Sequence, residues 1–135
     1  MSEPLTRASI TVASRVMLVV YPLFFAGIAA ALLLTAEPRL RATPAWDYAA
    51  RVADLDMWGA GFALVAAALT AALAASSRAL YRAALAVACV WMIIFSVVTL
   101  LAAVDTRASY GAWTWSAFVA AACWASLRSI AAGER

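Results

Sequence analysis

TPAWDYAARVADLDMWGAG, residues 43–61, is the stretch whose reading decides the fold. It holds Asp47, Arg51, Asp54 and Asp56 and two of the chain's six tryptophans, Trp46 and Trp58, between two long apolar runs. Thr43 suits an N-cap, and Pro44 then stands at the first helical position, where its missing N–H is no loss. Asp47, Arg51 and Asp54 recur at i, i+4 and i+7, which makes one narrow polar stripe with opposite charges in pairing distance. Trp46, Tyr48, Ala49, Ala50, Val52, Ala53 and Leu55 cover the remaining surface. The pattern predicts an interfacial amphipathic helix over about 44–56. No proline or polar loop separates it from the next apolar run, so the two read as parts of one long, tilted helix.

The composition names the solvent. The 135 residues are 67% hydrophobic and 13% charged, with a mean hydropathy of +0.92. A soluble domain carries about 25% charged residues; a chain this apolar would expose large sticky patches in water. The bilayer is the first expected partner, and the chain has room for one domain, residues 1–135. His, Lys, Asn and Gln are absent, all ten basic residues are arginine, and 37 residues are alanine. That bias suggests a GC-rich genome, such as that of an actinobacterium or one of its phages. The net charge of +3 comes from arginines scattered at helix ends, where orientation signals belong, and does not indicate nucleic-acid binding.

Outward from residues 43–61, four membrane spans are expected. The first is residues 16–36, after a polar tail with Arg7 and Arg15. At about 21 residues it exceeds a signal-peptide core and matches a ~30 Å bilayer, so it reads as a retained helix. Pro22 falls inside it, which a span tolerates when neighbours satisfy the freed carbonyl; the expectation is a structural kink and not a gating hinge. The second span is residues 57–75, where Gly59, Ala63, Ala67, Ala71 and Ala75 repeat every four residues, a spacing that suits close helix approach. A tight basic turn, residues 76–82, leads to the third span, 83–104. After a loop over 105–111, the fourth covers about 112–131, with Arg128 snorkelling to the interface. Short connections make such helices antiparallel neighbours. The expected fold is all-α, an antiparallel four-helix membrane bundle with the interfacial helix between spans one and two.

Orientation follows from arginine. Arg7, Arg15, Arg78, Arg82, Arg128 and Arg135 fall on one side, and Arg39, Arg41, Arg51 and Arg107 on the other, which predicts cytoplasmic N- and C-termini in the inner membrane. Trp46, Tyr48, Trp58, Tyr110, Trp113 and Trp115 gather on the outer side as an aromatic belt.

Little in the chain carries chemistry. The span interiors hold no Asp, Glu or Arg, so the default functional residue of a membrane protein is missing. Without His, imidazole proton relays and haem ligation are excluded, and no phosphate-binding glycine motif occurs. Cys89 and Cys123 read as small core residues on the reducing side. Glu37, Asp47, Asp54 and Asp56 lack the spacing of a calcium loop. No cofactor, metal or catalytic residue is expected. What remains is a candidate interaction surface (Trp46, Asp47, Arg51, Asp54, Trp58), a helix-packing face (Gly59, Ala63, Ala67, Ala71, Ala75), and a weakly polar stripe on the third span: Cys89, Met92, Ser96, Thr99 and Ala103. Packing is the expected role of that stripe. Trp91 and Trp124 are expected to fill gaps in the bundle.

The layout resembles small four-span membrane proteins of actinobacterial phages, some of them holins. The likeness rests on a first span, the Pro-containing segment TPAWDYAARVADLD, Trp58-Gly59 at the head of the second span, two further spans and a short charged tail. It implies a non-enzymatic protein that accumulates in the inner membrane, forms homo-oligomers and opens lesions during host lysis. The alternative is an accessory subunit or superinfection-exclusion factor that binds another membrane protein through Trp46, Trp58 and the charged stripe.

Overall fold

The structure, a computed structural model, describes residues 3–106 and 110–132. Among these residues it is all-helical: α1 (Glu3–Leu34), α2 (Glu37–Arg41), α3 (Pro44–Val52), α4 (Leu55–Ala74), α5 (Arg78–Thr106) and α6 (Gly111–Ala132). Three helices are long and apolar enough to cross a membrane, through Val16–Leu34, Leu55–Ala74 and Arg78–Asp105. The segment expected as the fourth span is helical but less apolar. Trp113, Thr114, Trp115 and Ser116 open α6, and Arg128 interrupts its far end.

Several boundaries move. The expected polar tail is helical from Glu3, continuous with the first apolar segment; the side chains of Glu3, Arg7 and Arg15 lie outside those described, as do residues Arg107, Glu134 and Arg135. The expected turn over 76–82 contracts to residues 75–77, and Arg78 and Arg82 belong to α5. Ser76 adopts φ 51° there. Its N–H bonds the carbonyl of Leu73 at 2.9 Å, and the N–H of Ser77 bonds that of Ala72 at 3.3 Å. This pair of bonds closes a helix with a left-handed residue, so α4 reverses into α5 within three residues. The Ser77 hydroxyl then accepts from the N–H of Leu80 at 3.3 Å.

The second correction concerns residues 43–61. The interfacial helix does not run on into the next helix. Ala53 is extended at φ −156°, ψ 153°, Asp54 follows at φ −55°, ψ 143°, and α4 starts afresh. Thr43 and Pro44 do open α3, but no side-chain capping bond forms at Thr43. The break lets α3 fold back onto the helices below. The indole N–H of Trp58, on α4, donates to the Ala49 carbonyl of α3 at 3.0 Å. Ala49 is buried completely.

The core lies where α1, α4 and α5 meet. Phe25, Phe62 and Phe95 are each fully buried, with Phe62 5.5 Å from Phe95 and 6.0 Å from Phe25 between ring centres. Two glycines allow the approach. A Cβ on Gly59 would fall 2.8 Å from Leu33 of α1, and one on Gly61 would collide with the Trp91 ring of α5. Gly27, by contrast, faces open space. At the other end of the core, Trp58 is level with Phe95, ring centres 5.6 Å apart. From that level α4 ends at Leu55 while α5 continues to Thr106, which at 1.5 Å per residue carries α5 roughly 12 Å farther. Helix α3 packs against α5, with Trp46 on Phe95.

The two glycine environments give opposite expectations. Gly61→Val should lower thermal stability in detergent by about 1–3 kcal/mol, because Trp91 must leave its notch. Gly27→Ala should be neutral or raise stability by up to about 1 kcal/mol, since helix propensity improves and nothing is displaced. A denaturation series that ranks the two variants the other way would contradict the packing described.

Candidate functional site

Four of the five charged groups of residues 37–51 form a chain, which contains the expected Asp47–Arg51 pair but not Asp54. Arg41 Nε donates to Glu37 at 2.7 Å, Arg41 also meets Asp47 at 3.5 Å, and Arg51 donates to Asp47 at 2.7 Å. The order is thus Glu37, Arg41, Asp47, Arg51. It ties α2 to α3 across the bend at residues 42–43. Asp54 drops out, because the break at Ala53 moves it from the face of α3 to the start of α4. The hydrogen bond from Arg51, then the attraction of Arg51 and Arg41, hold the Asp47 carboxyl below the usual carboxylate range. The bond to Glu37 raises the Arg41 guanidinium above its already high value.

The two tryptophans placed on the candidate surface turn inward. Trp58 is 4% exposed, and Trp46 lies over Phe95 with ring centres 5.1 Å apart. Trp115 of α6 closes the group, 5.6 Å from Phe24 and 6.2 Å from Phe95. Part of the expected aromatic belt is therefore an aromatic cluster, in which Trp46 packs α3 onto α5 and Trp115 joins α6 to α1 and α5. Tyr110 and Trp113 instead pair with each other at 6.4 Å. Trp91 packs on Trp58 and Phe62, whereas Trp124 is 55% exposed and fills no gap.

The row of small residues on α4 is also redistributed. Gly59 is buried, Ala63 is half-buried, and Ala67, Ala71 and Ala75 are exposed. A step of four residues overshoots the 3.6-residue turn by about 40°, so the row winds off the contact face within a few turns. The face that packs is instead Trp58, Phe62, Val65, Leu69 and Ala72.

The weakly polar stripe of α5 faces α6. Ser96 and Thr99 are buried, and each lies 3.1 Å from the Ser116 hydroxyl of α6. Ser116 is also bonded to the Trp113 carbonyl at 2.9 Å. Deeper along the same contact, the Cys89 thiol reaches the Ala120 carbonyl at 3.8 Å. Met92 and Ala103 are buried in the same face. The hydroxyls thus bond across a helix contact. Cys89 and Cys123 are both free and buried.

Sequence reasoning missed a pair of tyrosines. Pro22 has no N–H, so the carbonyl four residues earlier, that of Leu18, loses its helical partner. The Tyr81 hydroxyl of α5 supplies the replacement at 3.1 Å. Beside it the Tyr21 hydroxyl meets the Ser126 hydroxyl of α6 at 2.8 Å. The signal was a tyrosine within one turn of the start of α5, at the end of the bundle where the proline lies.

Among the described residues no group of three or more His, Cys, Asp or Glu side chains is close enough to hold a metal. A shallow groove of about 300 Å³ runs along α5, lined by Ala86, Val87, Val90, Trp91 and Ile94 and almost wholly apolar. The chain matches no known protein family, no curated protein and no solved structure.

Two outcomes are expected. Asp47 has a depressed pKa in the folded chain, so its pairing stabilises the α2–α3 cap above the ordinary carboxylate range, near pH 4, and is lost as the pH falls through the lower folded value. Amide protection factors in residues 37–52, taken relative to the intrinsic exchange rate at each pH, should therefore fall at low pH while those of α4 are unchanged, and Asp47→Asn should reduce that pH dependence. Separately, Tyr81→Phe should cost about 1 kcal/mol by leaving the Leu18 carbonyl unpaired, with no comparable loss from Tyr110→Phe. Equal losses in thermal unfolding would rule out the proline-linked role.

Proposed function

We propose that this chain is a non-enzymatic integral protein of the cytoplasmic membrane, an antiparallel four-span bundle with both termini cytoplasmic, and that it acts as a holin-like, self-associating permeabiliser during phage lysis. One observation carries the reading. The hydroxyls buried along the span-forming helices, those of Ser96, Thr99 and Ser116, pair within the bundle, while the ion pairs sit on the α2–α3 cap outside the spans. Such an interior offers neither the buried charge of an ion-coupled transporter nor a constellation for catalysis. Its outer faces are broad and apolar, with Leu23, Leu64, Val97 and Phe118 exposed.

The helix contacts favour the antiparallel arrangement. Gly59 lies by Leu33 and Phe62 by Phe25; Trp58 lies by Phe95 and Gly61 by Trp91; Thr99 lies by Ser116 and Cys89 by Ala120. In each pair one number rises as the other falls. The fourth crossing is assigned to α6 because it runs beside α5 over this length.

The accessory-subunit reading retains one feature, the exposed Glu37–Arg41–Asp47–Arg51 chain, after Trp46 and Trp58 turn inward. Induced expression with an endolysin should collapse the membrane potential and release a cytoplasmic enzyme abruptly. Steady growth with abundant inserted protein would refute the lysis role. Loss of activity on replacing Glu37, Asp47 and Arg51 by Ala, with insertion intact, would favour a partner docked on the cap.

A further inference from the structure

We propose that α6 is held across the membrane by a hydroxyl seam on α5 and not by its own apolarity, so that the seam decides on which side the C-terminal end lies. The inference rests on the four-span reading and adds the device that maintains it.

Two independent observations meet in α6. First, among the described residues it is not one of the three helices long and apolar enough by length and composition to span. Ser116, Ser126, two Trp near its start and Arg128 near its end dilute its alanines. Second, two of its serines are turned towards the bundle, while Thr114, Arg128 and Ser129 are exposed. Ser116 is fully buried between Ser96 and Thr99, 3.1 Å from each. Ser126 meets Tyr21 of α1 at 2.8 Å. The opposite surface presents Phe118 and Trp124, 73% and 55% exposed. A hydroxyl in hydrocarbon with no partner is strongly disfavoured, and one with a partner is tolerated. α6 therefore crosses as a dependent of α5: without Ser96 and Thr99 the Ser116 hydroxyl keeps its bond to the Trp113 carbonyl of its own helix at 2.9 Å but loses both of its contacts to α5.

The first step of the test leaves the sequence of α6 untouched. The full chain carries a C-terminal reporter, either a fluorescent protein that matures only in the cytoplasm or an alkaline phosphatase active only outside. In the unaltered chain the fluorescent reporter should dominate. Ser96→Ala with Thr99→Val removes the seam from α5 alone. It should shift the ratio of the two reporters roughly tenfold towards the outside, the equivalent of two or three membrane hydrogen bonds of average strength. Adding Ala121→Leu and Ala125→Leu on the exposed face of α6 raises its apolarity without restoring any bond, and should bring the ratio back. An unchanged ratio in the accumulated double variant overturns the inference. If the double variant is degraded, rescue of its level by the two leucines supports the inference, and failure of that rescue overturns it. A phosphatase signal from the unaltered chain would instead refute the four-span reading itself.

Discussion

A carbonyl or hydroxyl that leaves water must find its partner inside the protein, and the folded arrangement of this chain follows from how few such groups it carries into the apolar layer. The clearest instance is at Pro22. The ring removes one N–H and frees the Leu18 carbonyl, and Tyr81 from α5 occupies it. A defect in one helix thereby becomes the point where another is fixed in register. The same logic operates at Ala49, whose carbonyl takes the Trp58 indole, and at Ser116, which serves two hydroxyls of α5. These few directional bonds select one arrangement among the many that apolar packing would allow, because apolar contact with lipid and with another helix differ little in free energy.

Aromatic packing supplies the bulk. Phe25, Phe62 and Phe95 join three helices, and Trp46, Trp58, Trp91 and Trp115 extend the cluster sideways. Phe62 meets Phe95 and Trp91 edge-to-face, as Trp58 meets Phe95, the arrangement that the ring quadrupole favours, and the other contacts among these rings are tilted. Glycine at 59 and 61 admits this bulk by withholding side chains where Leu33 and Trp91 press in.

The helical class and the apolar segments were legible in the sequence because span length and hydropathy are properties of one helix at a time. So was the need for a neighbour at Pro22, though not its identity. What eluded the sequence was relational. The break at Ala53–Asp54 has no Gly or Pro to announce it; it is imposed by docking of α3 on α5, and it converts the expected stripe into the chain that ends at Glu37. Trp46 and Trp58 looked interfacial, since tryptophan is at home there, and only the position of Phe95 shows that they point inward. The alanine row on α4 looked like a packing face because four residues approximate one turn; the approximation fails within a few turns. The polar stripe on α5 was visible at Ser96 and Thr99, while Ser116, its partner, was not distinguishable from other serines.

The unequal heights of the helices have a consequence for the surrounding lipid. In a bilayer whose hydrocarbon just covers α1 and α4, the last turns of α5 stand proud with Leu101 and Val104 exposed. A thicker bilayer that covers them would bury the charged α2–α3 cap beside it. No single thickness suits both halves, so lipid must stretch along one flank and thin along the other, at a cost of fractions of a kcal/mol per Å. Placed in a bilayer, a step of this kind would deform the lipid asymmetrically, and copies that shared a deformed flank would deform less lipid between them.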